Sequence, residues 1–321
     1  MNLSMPLSYL DSAGPRAGAI LPLTWYMLIV SVAVCVIIGW VLLRALRGVR
    51  ANGGDAETRS IGVEEGASGV HWIRNGLIAS AIPLLVALVW TMVTLAAVSG
   101  PPSRPALTLD VTGHQWWWEV TYDSSEPSQT FTTANEIHIP VGRRVLLRLH
   151  GADVIHSFWV PKLTGKTDTI PGQINLSWLE AREPGDYSGA CTEYCGAQHA
   201  HMMIKVVAQS AGDFEQWRRR QLQPAAAPTD PATTRGAALV EYRCGLCHQL
   251  RGTQAGAHYG PDLSHIAGRR TLAAGLLPNN SGTLAAWIEN AHGLKPGNLM
   301  PNQDLRGDDL MDVVGYLELQ Q

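Results

Sequence analysis

Two long apolar runs dominate the part of the chain before Gly100. Pro22 to Leu43 and Leu77 to Val98 are nearly free of charge, and each is long enough to cross a hydrocarbon core of roughly 30 Å. A cleaved signal peptide explains the first run poorly, because the run is too long and no basic segment precedes it. The pattern predicts a transmembrane helical hairpin over residues 22–98, preceded by an N-terminal tail over residues 1–21.

Arginine is concentrated in the loop between the two runs. Five arginines lie there: Arg44, Arg47, Arg50, Arg59 and Arg74. The N-terminal tail carries only Arg16, and the segment just after the second run carries only Arg104. By the positive-inside rule, the loop over residues 44–76 is predicted to be cytoplasmic and both chain termini extracytoplasmic.

After Gly100 the pattern changes to short runs that alternate between apolar and polar positions. Examples are Leu107 to Val111, Glu136 to Pro140 and Arg144 to Leu149, which are separated by glycine-containing turns. This alternation is typical of strands with one buried face. Residues 99–217 are therefore predicted to form an antiparallel β-sandwich or barrel.

The pattern changes again after Trp217. The segment from Gln223 to Pro228 is rich in proline and alanine, which is typical of a semi-rigid linker, here predicted over residues 218–232. Residues 233–321 then show helical periodicity. They end in an amphipathic run from Asp308 to Leu317, whose acidic start suits a helix N-terminus.

Length and charge narrow the classes of function. With 321 residues the chain has room for two small soluble domains beside the hairpin. Residues 100–217 contain eight lysines and arginines against thirteen aspartates and glutamates, a net charge of minus five. This acidic balance argues against nucleic-acid binding and favours a basic protein partner.

The five cysteines fall into separate chemical classes by their spacing. Cys35 lies inside the first apolar run and is predicted to be unreactive there. Cys244 and Cys247 form a C-x-x-C-H motif with His248, in which two thiols can add to the vinyl groups of a haem while the histidine ligates the iron. A redox disulfide or half of a zinc site is the alternative. It is disfavoured because no second cysteine pair follows the motif.

A c-type haem commonly has a second axial ligand, and Met300 is the strongest candidate for it. Met300 lies in a loop from Lys295 to Pro301, whereas Met311 falls in the predicted last helix and is expected in the core. A thioether ligand raises the reduction potential of a haem. Three histidines are alternative ligands: His258, His265 and His292.

The C-terminal region resembles class I cytochromes c from Gly236 to Leu319. The resemblance rests on the haem motif, on the segment Gly260 to Leu263 after it, and on the Met-Pro pair before the last helix. It implies an all-α domain with covalently bound haem c, in which the carbonyl of Pro261 orients His248.

The remaining cysteines belong to a dense group of metal-binding residue types. The group comprises Cys191, Cys195, His199, His201, Met202 and Met203. Thiolates, imidazole and thioether together form a soft donor set that suits copper, and residue types alone do not choose between the neighbouring histidines and methionines. A single metal ion and a plain disulfide are the alternatives, but a disulfide leaves the crowded histidine and methionine unexplained.

The pattern C-x-E-x-C-G-x-x-H-x-x-M, with the segments His156 to Leu163 and Lys166 to Gly172, resembles the CuA domain of cytochrome c oxidase subunit II. The resemblance covers both apolar runs and extends to about Trp217, and it implies a cupredoxin-like Greek-key β-sandwich. It also implies the ligands of a dinuclear copper centre. Cys191 and Cys195 would bridge the two coppers, and His156 and His199 would each bind one of them. Met202 would be an axial ligand, and Glu193 would contribute its backbone carbonyl.

The same resemblance implies two further roles. Trp116 matches a position at which electrons enter, although a tryptophan at strand spacing is commonly a packing residue. The side chain of Glu193 matches a ligand of a magnesium or manganese ion at the interface with subunit I.

Together the two resemblances imply the electron-input subunit of a proton-translocating cytochrome c oxidase in a bacterial plasma membrane. Its partners would be membrane lipid, oxidase subunits I and III, and an external donor such as a cytochrome c or a bc-type complex. Oxygen chemistry would take place in subunit I. Two alternatives stay open: a CuA-containing nitric oxide reductase subunit and a periplasmic copper-delivery protein.

One departure from the family pattern lies in the second apolar run. Many relatives carry a glutamate seven residues before the proline that corresponds to Pro83, at the mouth of a proton path, whereas this chain has Gly76. Three explanations are open: the gapless alignment on Pro83 is shifted, Glu64 or Glu65 folds back to replace the glutamate, or protons are taken up through another group on subunit I.

Overall fold

The computed structural model describes residues 7–51, 68–100 and 103–321. The described chain forms two compact units, one from Gly18 to Gly100 and the other from the residues on either side of it. The first unit contains two long helices. The second contains a β-sandwich followed by a small, mainly helical domain.

Helix α1 (Pro15–Ala51) and helix α2 (Ser68–Ser99) form the first unit, and both are long and apolar enough to cross a membrane. Most of their apolar side chains are exposed in the chain itself, as expected for surfaces that contact lipid. The hydroxyl of Tyr26 donates to the carbonyl of Pro83 at 2.9 Å, and the tyrosine ring lies against Trp90. These contacts join the two helices.

Both helices extend beyond the apolar runs that predict them. Helix α1 begins within the predicted tail of residues 1–21 and continues beyond Leu43 through a segment rich in arginine and alanine, which are good helix formers. Cys35 is exposed on α1, which excludes a place in the core of this chain. The centre of the predicted loop, with Glu64 and Glu65, lies outside the described residues.

The β-sandwich consists of ten strands. They are β1 (Leu107–His114), β2 (Trp117–Tyr122), β3 (Phe131–Ala134), β4 (Glu136–Pro140), β5 (Val145–Gly151), β6 (His156–Trp159), β7 (Thr167–Thr169), β8 (Asn175–Leu179), β9 (Gly185–Cys191) and β10 (Met203–Gln209). One sheet has the order β3-β2-β1-β5-β8 and the other β4-β10-β9-β6-β7. Strand β1 is parallel to β5 and β4 to β10, while the other neighbours are antiparallel. This arrangement confirms the predicted sandwich.

The core of the sandwich lies between the two sheets. Alternate residues of β1 and β5, such as Leu109 and Leu147, are buried in it, and β6 contributes Phe158 from the opposite sheet. Burying a large apolar side chain of this kind contributes roughly 1.5–3 kcal/mol. The alternation fixes the register of the strands, because a shift by one residue would expose the whole buried set.

Helix α3 (Ala211–Gln221) closes the sandwich domain. Ser210 caps its N-terminus by accepting a hydrogen bond from a backbone N–H of the first turn, and Phe214 and Trp217 bury their rings in the sandwich core. The helix continues beyond Trp217. The linker predicted over residues 218–232 therefore begins later than the composition indicates.

The C-terminal domain consists of short helices joined by loops, with one pair of two-residue strands. Its elements are α4 (Pro231–Leu239), β11 (Thr271–Leu272), β12 (Leu277–Pro278), α5 (Ser281–Glu289), α6 (Ala291–Leu294) and α7 (Asp308–Glu318). Helices α4 and α7 cross closely at Gly236, where a Cβ atom would lie 2.0 Å from the carbonyl oxygen of Asp312. The expectation that Met311 lies in the core is wrong, since it is 57% exposed and α7 buries Val313 and Val314 instead.

Candidate copper and haem sites

Three strands bring the predicted copper-binding residues to one end of the sandwich. Cys191 ends β9 and pairs with Phe158 of β6, the strand that begins at His156. The chain then loops through Cys195 before β10 starts at Met203 and runs back beside β9. The loops that carry the donor atoms are thus held by paired strands, which form a stiff scaffold.

The two buried thiols lie next to each other without a bond between them. Their Sγ atoms are 3.7 Å apart in Cys191 and Cys195, whereas a disulfide bond measures about 2.05 Å. Sγ of Cys191 also lies 3.9 Å from Nδ1 of His156 and 3.2 Å from the carbonyl oxygen of Glu193. The thiols, the imidazole and the carbonyl therefore face one another.

The second thiol completes the cluster. Sγ of Cys195 lies 3.6 Å from Nδ1 of His199 and 3.9 Å from Sδ of Met202. The neighbouring His201 hydrogen-bonds through Nδ1 within its own turn, and Met203 belongs to β10. The structure thus brings His199 and Met202, rather than their neighbours His201 and Met203, next to the thiol of Cys195.

Burial and mutual contact separate the pKa values of the two thiols. In Cys191, burial is outweighed by hydrogen bonds to His156 and to the backbone, which lower the pKa to about 7. In Cys195, burial and the negative charge of Cys191 raise the pKa to about 12. The thiolate is the form that binds metals, so holding both cysteines deprotonated requires a compensating positive charge such as a metal ion.

Asp153 supports His156 from the side away from the thiols. Its Oδ1 lies 2.7 Å from Nε2 of His156, and its Oδ2 accepts the backbone N–H of Gln115 at 2.7 Å. This contact leaves Nδ1 of the ring facing Cys191, as expected for an oriented metal ligand. Sequence reasoning missed Asp153, although the Asp-x-x-His spacing is a signal that could have found it.

A cavity of about 300 Å³ collects the predicted haem-binding residues. Its lining includes Cys244, Cys247, His248 and Met300. Nδ1 of His248 lies 2.7 Å from the carbonyl oxygen of Pro261, so its N–H donates there and Nε2 keeps its lone pair available to bind a metal. Burial lowers the pKa of His248, which favours the neutral imidazole that binds metals. A Cβ atom at Gly260 would lie 2.6 Å from Cε1 of this ring, so only glycine leaves room for it.

The alternative axial ligands lie away from this cavity. His258 and His292 are exposed, and Nδ1 of His265 lies 2.7 Å from the carbonyl oxygen of Gln321. Within the described ranges, Met300 is the only one of the four candidates that lines the cavity with His248.

Residues of the β-sandwich complete the wall of the haem cavity. They are His114, Gln115, Trp116, Trp117, Asn135 and Asp153. Trp116 is only 7% exposed, and its indole N–H donates to the carbonyl oxygen of Cys195 at 2.9 Å. One side chain therefore lines the haem cavity and touches the loop that carries the thiols.

Comparisons with known proteins match both soluble domains. Residues 124–209 match the family described as cytochrome C oxidase subunit II, periplasmic domain, and residues 233–320 match cytochrome c. A solved structure of the periplasmic domain of cytochrome oxidase subunit II from Bradyrhizobium japonicum is 31% identical. It covers 37% of this chain and 94% of its own, with a TM-score of 0.35.

Three curated relatives align with this chain over different shares of its length. Cytochrome c oxidase subunit 2 of Alkalihalophilus pseudofirmus is 33% identical, and the alignment covers 97% of this chain and 90% of the relative. The subunit 2 of Bacillus subtilis is 32% identical, with 63% of this chain and 58% of the relative aligned. That of Zea mays is 29% identical, with 67% and 89% aligned.

These matches imply copper in the first soluble domain, which matches a periplasmic domain, and haem in the second, and both domains follow two helices long and apolar enough to cross a membrane. The chain is thus membrane-anchored with extracytoplasmic domains, and it associates with other oxidase subunits. One of these relatives aligns over nearly the whole chain. The chain belongs to the cytochrome c oxidase subunit 2 family and carries a C-terminal cytochrome c domain.

Proposed function

We propose that this chain is the electron-input subunit of a proton-translocating cytochrome c oxidase. Electrons from an external donor would pass by way of haem c and a dinuclear copper centre to the oxygen-reducing site of subunit I. The observation that carries the proposal is the position of Trp116. Its side chain lines the cavity that contains the C-x-x-C-H motif, and its indole N–H donates to the carbonyl oxygen of Cys195, one of the two clustered thiol residues.

The copper-binding part of the proposal is supported by the chemistry of the donor set. The proposed ligands are His156, Cys191, Glu193 through its carbonyl, Cys195, His199 and Met202. Thiolate, imidazole and thioether are ligands that copper prefers. A bound copper pair supplies a one-electron carrier whose charge is shared between the metals. The chain contributes a rigid site, because the thiols and Met202 are buried and Asp153 holds His156 in place.

The haem-binding part is supported by the shared cavity. Cys244 and Cys247 would hold haem c through thioether bonds, and His248 and Met300 would be its axial ligands. The carbonyl of Pro261 keeps the ring of His248 in one tautomer and one orientation.

Glu193 would act at two places. Its carbonyl oxygen lies 3.2 Å from Sγ of Cys191, whereas its side chain is exposed and free to reach a partner subunit. A magnesium or manganese ion at the interface with subunit I would use this carboxylate, since oxygen ligands suit both ions. Its remaining ligands would come from the partner, so the ion is expected only in the assembled oxidase.

The proposed setting is a bacterial plasma membrane, with both termini and both soluble domains on the extracytoplasmic side. Subunits I and III would be the membrane partners. The donor would be a cytochrome c or a bc-type complex, and the acidic balance of residues 100–217 favours a basic protein surface.

Spectroscopy of the purified, assembled complex tests this function. We expect an electron paramagnetic resonance signal of a mixed-valence copper pair beside a low-spin haem, with oxygen reoxidising both after reduction. Reoxidation by nitric oxide but not by oxygen would instead indicate a nitric oxide reductase. Copper that is released to an acceptor protein without cycling would indicate a copper-delivery protein.

A further inference from the structure

One lysine is buried where the cytochrome c domain meets the β-sandwich. Lys295 is 3% exposed, and its Nζ lies 2.8 Å from each of three backbone carbonyl oxygens. Two of these belong to the sandwich domain, at Trp116 and His201, and the third belongs to the cytochrome c domain, at Ala273. An ammonium group has three N–H donors, so this set satisfies all of them.

The position is unusual because lysine is almost never fully buried unless it is paired with an opposite charge. In the part of the chain that the structure describes, Lys295 forms no ion pair with a carboxylate. Burial lowers the pKa of Lys295 to about 7, which reflects the cost of taking a cation out of water. The negative charge of Cys195 acts against this lowering of the pKa, and the three carbonyl oxygens, drawn from both domains, accept the hydrogen bonds of the buried group.

The residues after this lysine extend the same contact. The side chain of Gln198 donates to the carbonyl oxygen of Pro296 at 2.9 Å. Gly297 lies against the indole of Trp116, where a Cβ atom would be 3.3 Å from the ring, and its φ of +86° favours glycine. The chain then reaches Met300 in the haem cavity, so one short segment carries both the contact and the proposed axial ligand.

Other polar contacts between the two domains lie elsewhere. The side chains of Arg270 and Asp186 form an ion pair at 3.1 Å, but both are substantially exposed, and such pairs contribute roughly 0–1 kcal/mol. The backbone N–H of Met203 donates to the carbonyl oxygen of Ala274 at 3.0 Å. The buried carboxylate of Glu136 accepts the backbone N–H of Arg270 at 2.5 Å, and the guanidinium of Arg251 donates to the carbonyl oxygens of Thr130 and Ser128. None of these contacts involves Trp116 or the segment that leads to Met300.

We propose that Lys295 is a positioning residue that locks the segment before Met300 onto Trp116 and the copper-ligand loop. This inference rests on the proposed electron-transfer function. Electron transfer slows steeply as two centres move apart, so a small displacement of the cytochrome c domain would reduce its rate. Lys295 acts through the backbone of Trp116 and His201 and touches none of the proposed ligands.

The first test measures electron transfer from photoreduced haem c to copper in the assembled oxidase. In Lys295→Met we expect the rate to fall several-fold, while haem content, the haem reduction potential and the copper spectrum stay as in the wild type. Arg306→Met is the matched control, because Arg306 is an exposed basic residue of the same domain. It should transfer electrons at the wild-type rate.

The second test measures attachment of the domain without reference to electron transfer. A protease site is inserted after Gln223 in the full-length protein, and the linker is cut. The cytochrome c domain is expected to remain bound in the wild type and in Arg306→Met, and to dissociate from Lys295→Met. If the Lys295→Met protein does not accumulate in cells, Lys295→Gln is tested instead. The glutamine side chain keeps N–H donors but carries no charge.

The two tests separate the failure of each proposal. A wild-type transfer rate in the lysine variant would overturn the role of Lys295, as would a changed haem potential or copper spectrum that accounts for the slower rate. If the wild-type protein itself passes no electrons from haem to copper, the proposed function fails. In that case only the cleavage assay tests the role of Lys295. If the cytochrome c domain stays bound after cleavage of the lysine variant, Lys295 does not hold the two domains together.

Discussion

At the residue scale, each thiol of the candidate copper centre is expected to bridge both metal ions. Sγ of Cys191 and Sγ of Cys195 are close enough to share them, at 3.7 Å from each other. We therefore expect Cys191→Ser and Cys195→Ser each to abolish the mixed-valence signal in electron paramagnetic resonance. Met202→Leu is the control, because losing a weak axial ligand should shift the potential and keep the signal. A mixed-valence signal in either serine variant would contradict the assignment.

The haem site allows attachment and axial ligation to be separated. In Met300→Ala we expect the haem reduction potential to fall, because a thioether ligand raises it, while haem remains covalently bound through Cys244 and Cys247. Redox titration measures the first effect, and extraction with acid and organic solvent measures the second. An unchanged potential would indicate that one of the three histidines outside the cavity is the ligand.

Residue types and spacing predict most of the donor set, because haem attachment and copper ligation need particular atoms close together in sequence. They do not predict Asp153 or Lys295. Lys295 contacts Trp116 across 179 positions of the chain, and a lysine in a loop ordinarily indicates a solvated surface. The same spacing leaves His199 and His201 equivalent until the turn between β9 and β10 is seen.

At the scale of elements, the pairing of β1 with β5 carries a charged network. Nε of Arg148 donates to Asp110 at 2.8 Å, and Nε2 of His150 lies 2.8 Å from the same carboxylate. Burial alone would raise the pKa of Asp110, but hydrogen bonds to Arg148 and His150 outweigh it and hold the pKa below its ordinary value. Stability from this lowered pKa is present above the unfolded value of about 3.9 and is lost as the pH falls through the folded value.

We therefore expect Asp110→Asn to lower the free energy of unfolding by about 1 kcal/mol at neutral pH, since the side chains of the network are partly exposed and water screens their charges. The difference from the wild type should shrink as the pH falls below about 4. Denaturant unfolding followed by tryptophan fluorescence measures it. Glu215→Gln, which removes an exposed pair with Arg218 on α3, should have a smaller effect. If Asp110→Asn lowers the free energy of unfolding by the same amount at neutral pH and below about pH 4, the charged network is not the source of the effect.

Alternating apolar residues predict the strands well, because one buried face requires a period of two. The run from Leu107 to Val111 lies in β1, which buries alternate residues. The run from Glu136 to Pro140 forms β4 with the predicted bounds, although all five of its residues are buried. Element ends are predicted less well, since α1 and α3 continue into polar residues that no hydrophobic pattern marks. Met311 illustrates the same limit, because a short amphipathic helix can bury either of two adjacent faces until its partner, here α4, is known.

At the scale of the whole molecule, composition separates the domains but does not show that they share a site. The segment from Gln223 to Pro228 resembles a spacer between independent domains. In the structure the sandwich nevertheless supplies Trp116 to the wall of the haem cavity, and Lys295 is buried between the domains. The arrangement depends on packing between surfaces distant in sequence, which is why it could not be predicted.

Proton uptake would be a property of the assembled enzyme, and α2 has Gly76 where the family resemblance implies a glutamate. No aspartate or glutamate occurs in α2, and a Cβ atom at Gly76 would meet nothing within 4 Å, so a side chain fits there. A carboxylate near the membrane face can collect protons because it titrates, whereas glycine cannot. Our hypothesis is that protons are taken up through another group, on subunit I.

On that hypothesis Gly76→Glu should leave oxygen consumption largely unchanged. Gly76→Gln is the matched control, since it has nearly the same shape and does not titrate. Both variants are compared with the wild type by turnover and by the rate of proton-coupled reduction of the oxygen site. A several-fold acceleration in the glutamate variant alone would show that the missing carboxylate limits this enzyme, because only the titratable side chain could then be delivering protons.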